Sequence, residues 1–207
     1  MDGQGGQDDL VVVALPGVQL FIAEARSTSD VAAASAIYAR LAEQVIDVFQ
    51  NQAGGTLVLP ARPDAVPGLS DDTGPGVPNR VVALFQAGTG SGAASQAAAA
   101  VHRTWERWVR RALSLGDGDP VPVTPGFPRV QWVCVPRQQG GYEEQWHQAL
   151  RLLAARRRIR DFAPVPEEPW RRRTLCSLAP RWPAQPSAPP GVPDHEKSKA
   201  LSAVGWV

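Results

Sequence analysis

The sequence predicts an α+β fold, because four short apolar runs alternate with amphipathic helical stretches in the order β-α-β-β-α-β, followed by one extra helix. Two of the runs are apolar almost throughout, as in central strands, and the other two carry features of edge strands. A four-stranded antiparallel sheet with helices on one face satisfies this order if the first and third strands are central. This arrangement is the ferredoxin-like βαββαβ fold.

The four predicted strands differ in their apolar pattern. Residues 10–15 (LVVVAL) and 80–86 (RVVALFQ) are nearly continuous apolar runs, which predict strands that are buried on both faces. The run 56–60 (TLVLP) ends in proline, and the run 129–136 (RVQWVCVP) alternates between its two faces. Both features are typical of strands at the edge of a sheet.

Helical spacing of apolar residues predicts the helices. The first long helix begins at Ser29 or Asp30, which are good N-cap residues. The expected helices are 18–25, which is short, then 29–52, 87–115 and 141–162, with a short one near the C-terminus. Four tryptophans fall on predicted apolar faces and are expected in the core: Trp105, Trp108, Trp132 and Trp146.

Charge and composition restrict the class of protein. The chain has 207 residues, 43% of them hydrophobic, and a net charge of +1, so its overall field does not favour nucleic acid. Residues 151–181 are an exception, with nine arginines against three acidic residues. The acidic N-terminus is unlike a signal peptide, no run is long enough to span a bilayer, and two cysteines are too few for a disulfide scaffold. A cytoplasmic protein without membrane contact is expected.

The segment ALPGVQLFIAEARSTSDVAAAS (14–35) carries the most specific motif. It resembles the first palm domain of the large subunit of type III CRISPR effector complexes, the subtype III-B form in particular. The positions that match are Gly17, Val18, Gln19, Phe21, Ile22, Ala25, Arg26, Ser27, Thr28, Asp30 and Ser35. Segments 77–85, 127–136 and 152–162 resemble later parts of the same family.

The resemblance implies three regions. Residues 1–9 are expected to be a disordered N-terminus and residues 10–162 a ferredoxin-like first palm domain. Residues 163–207 are expected to be a Pro/Arg-rich, degenerate remnant of the zinc-binding hairpin with a terminal helix. The chain ends where family members continue toward a second palm, which favours a truncated chain, a split gene or a degenerate copy.

The resemblance also implies a function. In this family two palms bind ATP at their interface, and the second palm holds the metal ions that promote synthesis of cyclic oligoadenylates. The first palm contributes pocket wall. ATP with Mg²⁺ is therefore expected only at an interface with a second palm, on the same or another chain, and the chain alone is expected to be inactive. Other CRISPR effector subunits and guide RNA, contacted directly or indirectly, are the expected partners.

The departures from the family pattern are informative. No Gly-Gly-Asp-Asp turn occurs, and no His-Asp pair of a preceding nuclease domain is present. Cys176 has alanine three positions later, where the family has the second cysteine of a Cys-x-x-Cys pair. Because one thiolate cannot form a tetrahedral site, we expect no zinc and no other metal ligands in this chain.

Two sets of residues are candidates for binding. Arg26, Ser27, Thr28 and Ser35 are the candidate nucleotide-binding residues, since a helix N-terminus with hydroxyls and arginine suits phosphate. The alternative is that the same turn only caps its helix. Arginines near the third long helix are candidates for RNA or subunit contact: Arg156, Arg157, Arg158, Arg160, Arg171, Arg172 and Arg173. Their alternative is a solvated helix end that complements the helix dipole.

Other functions stay open. A degenerate palm could act only as an assembly module that binds subunits or RNA without nucleotide. An unrelated ferredoxin-like regulator or RNA-binding domain is a second alternative, although no predicted strand carries paired exposed aromatics for base stacking. The segment GTGSG (88–92) follows a strand, but it lacks the full spacing of a dinucleotide loop and is a weak phosphate-binding signal.

Overall fold

The computed structural model describes residues 8–25, 27–60, 78–122, 124–137, 141–159 and 174–207. The predicted order of elements is confirmed over these ranges. The elements are β1 (Asp9–Ala14), α1 (Val18–Ala23), α2 (Thr28–Asp47) with a π-helical extension (Val48–Gln52), β2 (Thr56–Leu59), β3 (Arg80–Phe85), α3 (Gly90–Ala112), β4 (Gln131–Pro136), α4 (Gly141–Arg158) and α5 (Ala203–Trp206).

The four strands form one antiparallel sheet in the order β2-β3-β1-β4. In the register of the sheet, Val11 of β1 lies opposite Ala83 of β3 and Cys134 of β4. Every residue of β1 is buried, as its continuous apolar run predicts for a central strand. The α+β fold class and the central position of the first and third strands are therefore confirmed.

Helix α4 covers one face of the sheet. Alternate residues of β1 (Leu10, Val12 and Ala14) point to this face, because successive side chains of a strand point to opposite sides. They form one cluster with Ala149 and Leu153 of α4, joined by Val82, Val133 and Val135. The extra helix of the predicted order thus lies directly on the sheet.

The opposite face of the sheet meets the end of the α2 extension and the start of α3. Phe49 packs edge-on against Phe85 with ring centroids 5.0 Å apart. A Cβ atom built on Gly90 would lie 2.8 Å from Val11 Cγ2 and 2.9 Å from Cys134 Sγ, so the first residue of α3 touches this face. The α2 extension and α3 meet one face, as the ferredoxin-like order predicts, and the extra helix α4 covers the other. The expectation of helices on one face alone is therefore corrected, because α4 buries its apolar residues on the second face.

The chain divides into two compact units. The first comprises residues 1–18, 35–101 and 129–160 and contains the sheet, and the second comprises residues 19–34, 102–128 and 161–207. Helices α2 and α3 each contribute residues to both units. The predicted boundaries at 9/10 and 162/163 follow the chain as continuous segments and remain predictions.

The second unit is organised around aromatic side chains. Phe127 stacks on Phe21 with centroids 5.4 Å apart, and Trp105 packs edge-on against Phe127 at 4.8 Å. Trp182 packs on Phe127 at 5.7 Å, and its indole N–H donates to the carbonyl oxygen of Pro125 at 3.1 Å.

Of the four tryptophans expected in the core, Trp105 is buried and the other three are half-buried.

An ion pair lies beside this aromatic cluster. The Arg181 guanidinium donates to the Glu24 carboxylate and lies over the Trp182 ring, 4.2 Å from its centroid. The other oxygen of Glu24 is buried and accepts no hydrogen bond from the described residues. This pair attaches the turn after α1 to the C-terminal segment within the second unit.

Candidate functional site

The turn before α2 contains a reciprocal helix cap. The Asp30 backbone N–H donates to Ser27 Oγ at 3.2 Å, and the Ser27 N–H donates to Asp30 Oδ2 at 3.0 Å. The Ser27 carbonyl accepts from the Val31 N–H, so Ser27 is the N-cap and the helix begins at Thr28. Asp30 takes part in the cap as expected, but Ser27 holds the cap position predicted for Ser29 or Asp30.

The candidate nucleotide-binding residues fall in different places. Arg26 lies outside the described residues. Ser27 and Thr28 are exposed in the second unit, and Ser27 Oγ also shares a hydrogen bond of 2.8 Å with Ser29 Oγ. Ser35 is an exposed residue of α2 in the first unit. The cap therefore brings Ser27 and Thr28 together, and Ser35 stands as a separate candidate.

Two donors of the α2 N-terminus are available to a ligand. Over the described ranges, no group accepts a hydrogen bond from the backbone N–H of Thr28 or Ser29. These groups point along the helix axis at its positive end, where an anion is stabilised. The Asp30 carboxylate lies at the same end of the helix, and its negative charge would repel a phosphate bound there.

The opening motif requires glycine at position 17 for conformational and steric reasons. Gly17 has a φ of +102°, in the left-handed region that favours glycine, and a Cβ atom there would lie 3.1 Å from Tyr38 Oη. The Tyr38 hydroxyl donates to the Pro16 carbonyl at 3.3 Å. The Pro-Gly turn thus carries the chain from β1 into α1, in which Gln19 is exposed.

The GTGSG segment starts α3 and already holds an anion from the chain itself. The Gly90 N–H donates to Asp9 Oδ2 at 2.9 Å, and Asp9 is only 4% exposed. Because the carboxylate occupies the positive end of α3, it takes the place that a phosphate would need. Asp9 was not among the predicted site residues, although an acidic residue at the start of an apolar strand was the available signal.

The two cysteines have different environments. Burial, and secondarily the charge and hydrogen bond of Asp9, raise the pKa of the Cys134 thiol to about 11, so this thiol stays protonated at neutral pH. Burial raises the pKa of Cys176, but hydrogen bonds from the backbone of Ala179, Ser202 and Leu178 and from the Ser202 side chain outweigh it and lower the pKa overall. The Ala179 N–H lies 3.5 Å from Cys176 Sγ.

Cys176 lies in a tight turn in which its thiol accepts a hydrogen bond from the Ala179 N–H. Ala179, at the position of the family's second cysteine, is 4% exposed. Among the residues described by the structure, no three His, Cys, Asp or Glu side chains group in a way that could hold a metal ion. The expectation that the chain binds no zinc remains a prediction.

The C-terminal end of α4 presents three exposed arginines, Arg156, Arg157 and Arg158. The Arg156 guanidinium lies 5.8 Å from the centroid of the Trp132 ring. The end of the helix is capped by side chains, because Arg129 Nη2 donates to the Ile159 carbonyl at 2.9 Å and Gln131 Nε2 to the Arg156 carbonyl at 3.4 Å. The other candidates, Arg160, Arg171, Arg172 and Arg173, lie outside the described residues.

The fold is that of an α+β protein with a palm-like sheet, and its candidate binding features are exposed helix ends and arginines. Residues 10–110 match the family model described as CRISPR-associated protein Cmr2, N-terminal. This match covers just under half of the chain. It supports a relation of the chain to Cmr2, the large subunit of type III-B CRISPR complexes. These complexes are effectors built from several subunits. No curated protein matches the chain.

The matched range includes the opening motif, all of β1 except Asp9, the strands β2 and β3 and nearly all of α3, and it ends before β4 and α4. Both helix N-termini described above lie within it. None of the helices in the described ranges has the length and apolar character needed to cross a membrane.

Proposed function

We propose that the chain is the non-catalytic palm half of a type III CRISPR effector large subunit. In this role it scaffolds the RNA-guided complex and forms part of the ATP pocket for cyclic oligoadenylate synthesis together with a second palm. The observation that carries the proposal is the exposed N-terminus of α2. Its residues Ser27 and Thr28 belong to the opening motif and lie within the matched range. Reciprocal capping with Asp30 holds this turn in a defined conformation before any ligand arrives.

The chemistry of this turn suits phosphate oxygens. The N–H groups of Thr28 and Ser29, together with the Thr28 hydroxyl, offer donors at the positive end of a 20-residue helix. Asp30 is the one carboxylate among the described residues 27–31, so the metal-binding carboxylates would come from the second palm. Mg²⁺ bound there would offset the charge that develops on the reacting phosphate. The residues of this chain would position the nucleotide.

The arginines that end α4 support contact with guide RNA or a neighbouring subunit. Arg156, Arg157 and Arg158 are exposed, and the acidic residues of the same helix, Glu143 and Glu144, lie in its first turn. Several phosphate contacts from one helix end would give binding that weakens steeply as salt rises.

The second candidate function is an assembly module that binds subunits or RNA without nucleotide. Two observations favour it: Asp30 already places a carboxylate at the α2 N-terminus, and Cys176 faces Ala179 where a zinc hairpin would have a second cysteine. In this case the turn at Ser27 has only its capping role.

Titration of Mg-ATP into the assembled effector complex separates the two candidates. We expect Thr28→Val, which keeps the size of the side chain and removes its hydroxyl, to weaken ATP binding about tenfold by the loss of one phosphate contact. Ser35→Ala tests the second position by the same measurement. Arg40→Ala is the matched control on α2, because Arg40 is exposed and its ion-pair partner among the described residues is Glu43 at the surface.

Equal ATP affinity of the Thr28→Val, Ser35→Ala and Arg40→Ala complexes would contradict a nucleotide role for both positions. Complete absence of ATP binding by the wild-type complex would favour the assembly module. Subunit composition of each complex, measured in parallel, shows whether a variant has lost its partners instead of its ligand.

A further inference from the structure

The C-terminal segment of the second unit contains a pocket. Its volume is about 390 Å³, within the range of small-molecule sites. Its walls are formed by the segments 184–188 and 197–200 and by Thr174. The backbone holds these walls, because the Ala184 N–H donates to the Thr174 carbonyl and the Gln185 N–H donates to the Leu201 carbonyl, both at 2.8 Å.

The lining of the pocket is rich in hydrogen-bond donors. Lys197 and Lys199 contribute ammonium groups, and Thr174, Ser187 and Ser198 contribute hydroxyls. Within the described part of the chain these three hydroxyls make no side-chain hydrogen bond, and none of the lining residues is acidic. A pocket lined by these hydroxyls and two ammonium groups is suited to an anion that competes with the carboxylates paired with the lysines.

The two lysines are distinctive in this sequence. They are the only lysines of a chain that has 19 arginines, and both line this one pocket. An ammonium group is a compact charge with three donors, whereas a guanidinium is a planar fork that binds two oxygens side by side. Both side chains bind phosphate, the guanidinium as a bidentate fork and the ammonium as a point charge.

Each ammonium group is held by a neighbouring carboxylate. Lys197 Nζ lies 2.6 Å from Asp194 Oδ1, and Lys199 Nζ lies 2.5 Å from Glu196 Oε2. The Asp194 side chain is 95% exposed, so its pair is well solvated and contributes little. Because each ammonium has two further N–H donors, it can bind an anion beside its carboxylate or exchange one for the other.

We propose that this pocket binds the phosphate group of a small phosphorylated molecule through Lys197 and Lys199. The hydroxyls of Ser187 and Ser198 supply further donors to the phosphate oxygens. The volume exceeds that of phosphate alone, so the organic part of the ligand occupies the remainder between the two walls. The site is separate from the α2 N-terminus and does not depend on the proposed ATP role.

The lysine count makes a direct experiment possible. A full-length chain labelled with ¹³C at the lysine ε carbons gives only two protein side-chain signals, one from each pocket residue. Inorganic phosphate and ribose 5-phosphate are titrated separately, with sodium chloride at matched ionic strength as the reference. We expect both signals to shift with saturation, and tighter binding of ribose 5-phosphate than of inorganic phosphate.

Three variants, compared by calorimetry with ribose 5-phosphate, sharpen the test. Lys197→Gln with Lys199→Gln should weaken binding by about tenfold or more, since two charge-assisted contacts are lost. Asp194→Asn with Glu196→Gln should tighten binding, because the competing carboxylates are gone. Glu106→Gln, which removes a carboxylate paired with Arg110 elsewhere in the same unit, is the control and should have no effect.

Lysine signals that move as in sodium chloride, without saturation, would overturn the proposal. Equal affinity of the double lysine variant and the wild-type chain would overturn it as well. If inorganic phosphate binds as tightly as ribose 5-phosphate, the assignment to an organic phosphate is wrong.

Discussion

The two units of the chain are stabilised by different kinds of side chain. In the first unit, buried aliphatic residues of a regular sheet dominate, and all six residues of β1 are buried. In the second unit, Phe21, Trp105, Phe127 and Trp182 pack on one another among turns and short helical segments. The first unit therefore distributes its burial over many small contacts, and the second concentrates it in a few large ones.

This difference follows from the backbone available to each unit. A sheet satisfies its N–H and C=O groups in ladders and repeats its side chains every second residue, so valines pack well from both faces. In the part of the second unit that the structure describes, there is one isolated β-bridge, between Leu175 and Pro183, together with individual turn hydrogen bonds. Because each aromatic ring buries a large area, a few aromatic residues are enough to stabilise such irregular segments.

The largest expected effect is in the aromatic cluster. Trp182→Ala should destabilise the protein by about 3–5 kcal/mol, the cost of truncating a buried aromatic residue. It also removes the donor to the Pro125 carbonyl and the ring under Arg181. Trp182→Phe, the matched control, keeps a ring and should lose much less. Chemical denaturation of the three proteins measures the difference, and an equal loss for both variants would mean that ring packing is not the cause.

A smaller effect is expected where the sheet meets α3. Gly90→Ala should cost about 1–3 kcal/mol, the usual penalty for overpacking a core. The new methyl group would lie 2.7 Å from Asp9 Cβ and 2.8 Å from Val11 Cγ2, atoms that strand β1 holds in place.

Gly92→Ala is the control in the same helix, because a Cβ atom there meets nothing within 4 Å. It should be neutral or stabilise the helix by up to about 1 kcal/mol. If both glycine variants unfold at the same denaturant concentration, the contact between the start of α3 and the sheet is not as close as described.

The sheet could be predicted from the sequence because its signals are local. The continuous apolar runs at 10–15 and 80–86 identified the central strands, and alternation at 129–136 identified an edge. The side of the sheet covered by α4 could not be predicted, since helical periodicity gives the apolar face of a helix but not the surface that receives it. The two-unit division was also hidden, because α2 and α3 each contribute to both units.

The candidate site was predicted less completely. Exposure of Ser27, Thr28 and Ser35 fits their proposed role, but the capping role of Ser27 depended on its exact position relative to Asp30. Asp9 was missed because its partner, Gly90, lies 81 residues away in the sequence. The stacking of Arg156 on Trp132 likewise depends on a contact between two separate elements.

The measurement that tests the central claim most directly is cyclic oligoadenylate synthesis by the assembled complex carrying Ser27→Asp or Ser27→Asn. Asp and Asn are comparable N-cap residues, so both variants should keep the turn folded, and only Ser27→Asp adds a negative charge where a phosphate would bind. We predict at least an approximately tenfold loss of product for Ser27→Asp relative to Ser27→Asn, with unchanged subunit composition, and no product from the isolated chain. Equal product from the two complexes, or synthesis by the isolated chain, would contradict the account.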